Sequence, residues 1–162
     1  MAATKAVELP STAREAFQIH DFNTAFQLLC SGKLRKIKHT QGYNLVSMQH
    51  FLQRLQLLEC VGGGVASLRI IHVAGTKGKG STCALVESLL RHHGLRTALF
   101  TSPHLVHITE RFRIDGRPVA QSVFEDAFWF VWDKLSTPYH GDLAPGVYPF
   151  PTFFQFMTIL AI

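Results

Sequence analysis

The chain has 162 residues, 47% of them apolar, with 16 lysines and arginines against 11 acidic residues and a formal charge of +5. That length and apolar share support one folded domain with a substantial core and exclude a disordered chain, and no apolar run is long enough to span a bilayer. The positive balance favours anionic partners through long-range attraction without choosing among nucleotides, acidic substrates and nucleic acid.

In chain order, residues 1–20 lack the apolar core of a signal peptide, and Glu8, Glu15 and Asp21 argue against a mitochondrial presequence. Residues 12–29 predict a helix, with Ala16, Ile19, Phe22, Phe26 and Leu29 returning at three- and four-residue steps. Ser11 or Thr12 would cap it and Ser31-Gly32 would end it. Lys33, Arg35, Lys36, Lys38 and His39 follow; with no aromatic interleaving they read as a solvated basic loop rather than a nucleic-acid surface. Asn44 is a candidate cap for a second helix whose stripe is Leu45, Met48, Leu52, Leu55 and Leu58. Gly62-Gly63-Gly64 breaks that pattern. Residues 1–62 are therefore expected to form a helical preface and residues 63–162 the beginning of an α/β domain.

The second part predicts a strand over 69–74, a glycine-rich loop, a helix over 81–93 stopped by Gly94, and a strand over 96–101. Such a unit implies a parallel pair with a right-handed crossover. Ligands of parallel sheets bind beyond the strand carboxyl ends, where loops 75–81 and 102–104 would then both open. Residues 111–114 alternate toward the turn pair Asp115-Gly116, residues 123–135 predict a bulky core helix, and 138–151 a Gly/Pro loop. The apolar run 153–162 has no stop signal after it and reads as cut inside an element.

The chemistry concentrates in Gly75-Thr76-Lys77-Gly78-Lys79-Gly80-Ser81. A strand, a Gly-Lys loop and a helix N-terminus make a phosphate cradle: glycines let backbone N–H groups approach an anion, and the first helical turn adds partial positive charge. The strict phosphate-loop pattern would place glycine at Val73 and Ser or Thr directly after Lys79, where Gly80 stands instead. Gly78, Lys79, Gly80 and Ser81 are the expected phosphate contacts, with Lys79 the charge-stabilising residue and Lys77 either a second contact or a solvated neighbour. His104 lies two residues from Ser102, but no Gly-x-Ser-x-Gly elbow accompanies them, so a Ser-His nucleophile pair is not expected. Glu110, Arg111 and Arg113 either orient an anionic substrate or form an exposed ion pair. Cys30, Cys60 and Cys83 are odd in number and form no Cys-x-x-Cys pair, and the nine histidines are scattered, so neither disulfides nor zinc is expected.

The segment 75–84, followed by Thr101-Ser102-Pro103-His104-Leu105 and then Glu110-Arg111-Phe112-Arg113-Ile114-Asp115-Gly116, resembles the N-terminal part of folylpolyglutamate synthases, ATP-dependent ligases of the Mur-ligase-like superfamily. The likeness covers residues 68–162 and includes the departure from the strict phosphate-loop pattern. It implies an α/β fold with a P-loop-containing parallel sheet, the Mur-ligase-like ATPase domain, truncated here behind the helical preface. It further implies ATP at Gly78, Lys79, Gly80 and Ser81, and Mg²⁺ at Ser102, whose companion glutamate and histidine would fall beyond residue 162. The implied reaction adds L-glutamate to the γ-carboxylate of a tetrahydrofolate through an acyl phosphate, in a cytoplasmic or mitochondrial protein that is monomeric at full length, with no nucleic-acid partner and no transmembrane segment. Dihydrofolate synthase, the same chemistry on dihydropteroate, and a non-catalytic nucleotide-binding or interaction module remain alternatives.

Overall fold

The computed structural model describes residues 21–30, 45–58, 64–143 and 147–162. Helix α1 (Phe22–Cys30) begins where Asp21 sets it: the Asp21 carboxylate accepts the Thr24 N–H at 2.7 Å and its carbonyl accepts the Ala25 N–H at 3.0 Å. A carboxylate in this place satisfies an orphan donor of the first turn and stabilises a helix by about 1 kcal/mol. Of the helix expected over residues 12–29, the part from Phe22 on is described; residues 12–20 and the caps expected at Ser11 and Thr12 lie outside the described residues. Helix α2 (Leu45–Arg54) buries Phe51 and Leu52, with Leu55 just beyond it, whereas Leu45 stays in water.

The chain next makes a 3₁₀ turn at Gly64–Ser67, continues without regular secondary structure over residues 68–74 and enters helix α3 (Lys79–His92). A three-stranded antiparallel sheet follows, in order β1 (Ala98–Phe100), β2 (Phe112–Ile114), β3 (Arg117–Pro118). Ala98, Leu99 and Phe100 face Ile114, Arg113 and Phe112 in register. Asp115 and Gly116 carry φ of 49° and 80°, positive at both centres of the β2–β3 turn as a tight hairpin requires, which is what the Asp-Gly pair announces. Helix α4 (Gln121–Ser136) and helix α5 (Phe153–Leu160) complete the described elements.

The core lies between the helices. Phe124, Phe128, Trp129, Val131, Trp132 and Leu135 of α4 are buried among Ala25, Leu28 and Leu29 of α1, Phe51 and Leu52 of α2, and Phe156, Met157 and Ile159 of α5. Phe128 is its centre: fully buried, 5.6 Å from the Trp132 ring in a stacked pair and 5.2 Å from Phe156. Helices from the sequence's expected preface therefore share one core with elements from its second part.

Two sequence-level expectations need correction. Residues 69–74 form no strand, and the expected parallel pairing with 96–101 is absent among the described residues; β1 pairs antiparallel with β2 instead. The physical reason is burial. An all-apolar strand gains its stability from neighbours alongside and from covered faces. Here no described strand flanks this segment, and Ile70 and Ile71 remain 66% and 61% exposed. The α/β character stands, as helices around a small sheet.

Candidate phosphate-binding site

Helix α3 starts at Lys79, two residues earlier than expected, so the lysine is itself the first helical residue. Gly78 precedes it with φ 78° and ψ −2°, a left-handed conformation open to glycine at little cost. Gly78 has no side chain to cap the helix, and no other side chain does so. The first bond of the ladder runs from Thr82 N to the Gly78 carbonyl at 2.9 Å, and the Thr82 hydroxyl donates to the same oxygen at 3.0 Å. The amides of Lys79, Gly80 and Ser81 thus lie in the uncapped turn, where the helix dipole adds positive potential. A Cβ placed at Gly75, Gly78 or Gly80 would meet nothing within 4 Å, so open space lies over the loop.

The Lys79 ammonium folds back over this mouth, donating to the Gly75 carbonyl at 2.8 Å and the Thr76 carbonyl at 3.1 Å. Both bonds are solvent-exposed, so exchange for an anion is cheap. Lys77 is exposed and has no ion-pair or hydrogen-bond partner among the described residues. The loop thus offers several N–H donors and two ammonium groups with no nearby acid, a donor set that fits a phosphate.

Helix α3 is tied to β1 through Glu87, whose Oε1 accepts both the Thr97 hydroxyl at 2.7 Å and Arg91 Nε at 3.1 Å. The Thr97 hydroxyl, then Arg91, hold this carboxyl below its usual range. After the turn at His93 and Gly94, β1 runs back along a helix of 14 residues, about 21 Å long. Its three strand residues, Ala98–Phe100, lead through Thr101 into the bend at Ser102.

Ser102 is exposed, precedes Pro103 through a cis peptide, and makes no hydrogen bond among the described residues. The loop after it is held by Glu110, whose two carboxylate oxygens accept the N–H groups of Leu105 at 2.9 Å, Val106 at 3.0 Å and His107 at 2.7 Å. The His107 bond, then the Leu105 bond, keep the Glu110 carboxyl below the ordinary range. Arg111 turns the other way: its Nε donates to His104 Nδ1 at 2.9 Å, and its guanidinium lies over the Phe153 ring at 5.7 Å. His104 is engaged by Arg111. The exposed ion pair considered for Glu110, Arg111 and Arg113 is not formed.

For a divalent metal, the described residues contribute the Ser102 hydroxyl, and they contain no group of three His, Cys, Asp or Glu that could hold an ion. A lone hydroxyl fits Mg²⁺ only beside phosphate oxygens, waters and further carboxylates. Cys83, within α3, is a free thiol. Among the described residues no helix is long and apolar enough to cross a membrane. Sequence reasoning missed the Glu110 clamp; its trace is Glu110 three residues after His107, at the opening of a short helical turn.

No protein-family model matches the chain. Folylpolyglutamate synthase of Arabidopsis thaliana is 38% identical over 137 residues, which is 85% of this chain and 22% of that protein. Among solved structures, a bifunctional folylpolyglutamate synthase/dihydrofolate synthase with Mn, AMPPNP and L-glutamate bound superposes with a TM-score of 0.60 at 31% identity, covering 85% of this chain and 29% of that one. A folylpolyglutamate synthase–AMPPCP–folate complex gives a TM-score of 0.66 at 26% identity, covering 87% and 31%. The chain spans about a fifth of the length of the curated relatives it matches. Its glycine-lysine loop on an uncapped helix, its α/β fold and these likenesses agree, and the chain belongs to the folylpolyglutamate synthase family.

Proposed function

We propose that this sequence provides the nucleotide-binding segment of an ATP- and Mg²⁺-dependent ligase that joins L-glutamate to the γ-carboxylate of a tetrahydrofolate. The observation that carries the reading is the uncapped amino end of α3, opened by Gly78 in a left-handed conformation and overhung by the Lys79 ammonium. ATP supplies the phosphoryl group that activates the carboxylate, and Mg²⁺ offsets phosphate charge. The chain's own part is binding and charge compensation. The amides of Gly78, Lys79, Gly80 and Ser81 donate to phosphate oxygens. The Lys79 ammonium leaves the Gly75 and Thr76 carbonyls to stabilise charge as the phosphoryl group departs. Ser102 gives the metal one neutral oxygen. Residues 63–162 open the ATP-binding domain, 1–62 form its helical preface, and the complete ligase works as a monomer in the cytoplasm or mitochondria.

With one hydroxyl as metal ligand among the described residues, the 162-residue chain alone binds nucleotide without turning it over. A second reading, dihydrofolate synthase, is favoured by one observation: a structural relative carries both activities in its name. The loop reads the nucleotide and not the pterin, so acceptor choice is decided by assay. Lys79→Ala in a ligase that carries this sequence together with the remaining length of its relatives should lower glutamate-dependent ADP release by about 100-fold or more, with unchanged thermal unfolding. Tetrahydrofolate should outperform dihydropteroate as acceptor. Near-normal turnover by the folded variant removes Lys79 from the reaction, and preference for dihydropteroate promotes the second reading.

A further inference from the structure

Arg54, half-buried, and Arg111, buried, are treated differently. Arg54 spends its guanidinium on four carbonyls, those of Lys134, Leu135, Thr137 and Pro149, at 2.8 to 3.3 Å. It is a structural cation. Arg111 is 8% exposed, and among the described residues only its Nε has a hydrogen-bond partner, at His104. Both terminal nitrogens, with four N–H donors, lack an acceptor, and no carboxylate lies within ion-pair distance among the described residues. The adjacent acid, Glu110, is committed to three loop amides. Two residues on, Arg113 Nε is also buried without a partner. Unlike that atom, the Arg111 terminal nitrogens are not sealed from solvent, which leaves them open to an incoming anion, while desolvation of the side chain pushes the Arg111 pKa down.

The surroundings fix where its open side lies. The Phe153 ring supports one face of the guanidinium and the His104 bond anchors Nε, leaving the planar fork of terminal nitrogens unengaged. Because His104 Nδ1 accepts the Arg111 proton, the neutral ring carries its own proton on Nε2, a second donor on the loop that starts at Ser102. Donors alone, with no acceptor among them, select an anion, and the fork geometry of a guanidinium matches a planar carboxylate.

We propose that Arg111, supported by His104 and Phe153, is a carboxylate-binding subsite. The identity of the ligand rests on the ligase reading above; the presence of the subsite does not. A carboxylate of this kind has two sources in such a reaction, the free amino acid and the glutamyl end of the pteridine acceptor. The subsite binds one of them next to the Ser102 loop and thereby sets substrate class.

The test uses the 162-residue chain and follows the Arg111 Nε–H resonance by ¹⁵N NMR during titration with L-glutamate in one arm and folic acid in the other. Backbone amides of Gly78–Ser81 are followed in a separate titration with Mg-AMPPNP. Saturable movement of the Arg111 resonance in one arm or both is expected, and the arm that moves names the source. Arg111→Lys, which keeps the charge and loses the fork, should weaken that binding roughly tenfold, and Arg111→Met should abolish it, each with the unfolding midpoint measured. If neither arm moves the wild-type resonance, or if Arg111→Lys binds as tightly as wild type, the subsite is refuted whether or not Arg111→Met folds. Nucleotide shifts at Gly78–Ser81 without carboxylate shifts at Arg111 sink the subsite and leave the ligase reading intact; the reverse pattern does the opposite.

Discussion

Single residues decide the site more than their neighbours in sequence suggest. Glu110 stands beside two arginines yet pairs with neither, because three consecutive N–H groups of the tightly turning loop have no other acceptor. A carboxylate meeting several backbone donors is favoured in its charged form. Since its folded pKa lies below the ordinary Glu value of 4.5, its contribution is present above that value and is lost as pH falls through the folded pKa. Amide exchange protection at Leu105, Val106 and His107 should therefore be strong at neutral pH and disappear on acidification below pH 4.5. Glu110→Gln should show weak protection at every pH; protection at pH 7 equal to wild type would disprove the clamp. The turn into α3 was legible residue by residue, since a left-handed Gly78 ahead of a helix needs only local backbone geometry. The Glu110 and Arg111 contacts were not, because adjacent residues leaving a tight turn point to opposite sides.

At the scale of elements, local signals carried as far as tertiary partners allowed. The Asp-Gly turn lies where its dipeptide places it, and α3 and α4 fall within two residues of their periodic patterns. The capping box of α5, Thr-x-x-Gln, is a local signal that the sequence analysis missed: Gln155 N donates to the Thr152 hydroxyl and Thr152 N to the Gln155 side chain. The end of α4 was not readable. Its last carbonyls are satisfied by Arg54, some 80 residues earlier, whose guanidinium also lies over the Tyr139 ring at 5.4 Å. No local pattern announces such a cap. Arg54→Met keeps most of the apolar stem and removes the donors, so it should lower the stability of unfolding by about 2 kcal/mol. Denaturant titration would detect it, and a loss under 0.5 kcal/mol, the ordinary scatter of surface substitutions, would show that water replaces the guanidinium.

Over the whole molecule, burial is uneven. The helical side closes around Phe128, whereas Leu68, Ile70, Ile71, Leu85, Leu89 and Leu95 are 46 to 67% exposed. Residues 69–74 have the composition of a central strand, and composition alone cannot say whether neighbours are there to receive it. That is why the strand reading failed. Uncovered apolar surface favours association, so the chain should sediment as concentration-dependent oligomers, and Leu85→Lys with Leu89→Lys should shift it toward monomer without lowering its unfolding midpoint. An unchanged distribution would assign the association to another surface. The central claim is that the amino end of α3 receives a nucleotide's phosphates. Calorimetric titration of the chain with Mg-AMPPNP tests it most directly: the account predicts saturable one-to-one binding, weakened about 10- to 100-fold by Lys79→Ala as expected for one charged hydrogen bond. Absence of binding, or equal affinity in the folded Lys79→Ala chain, would contradict it.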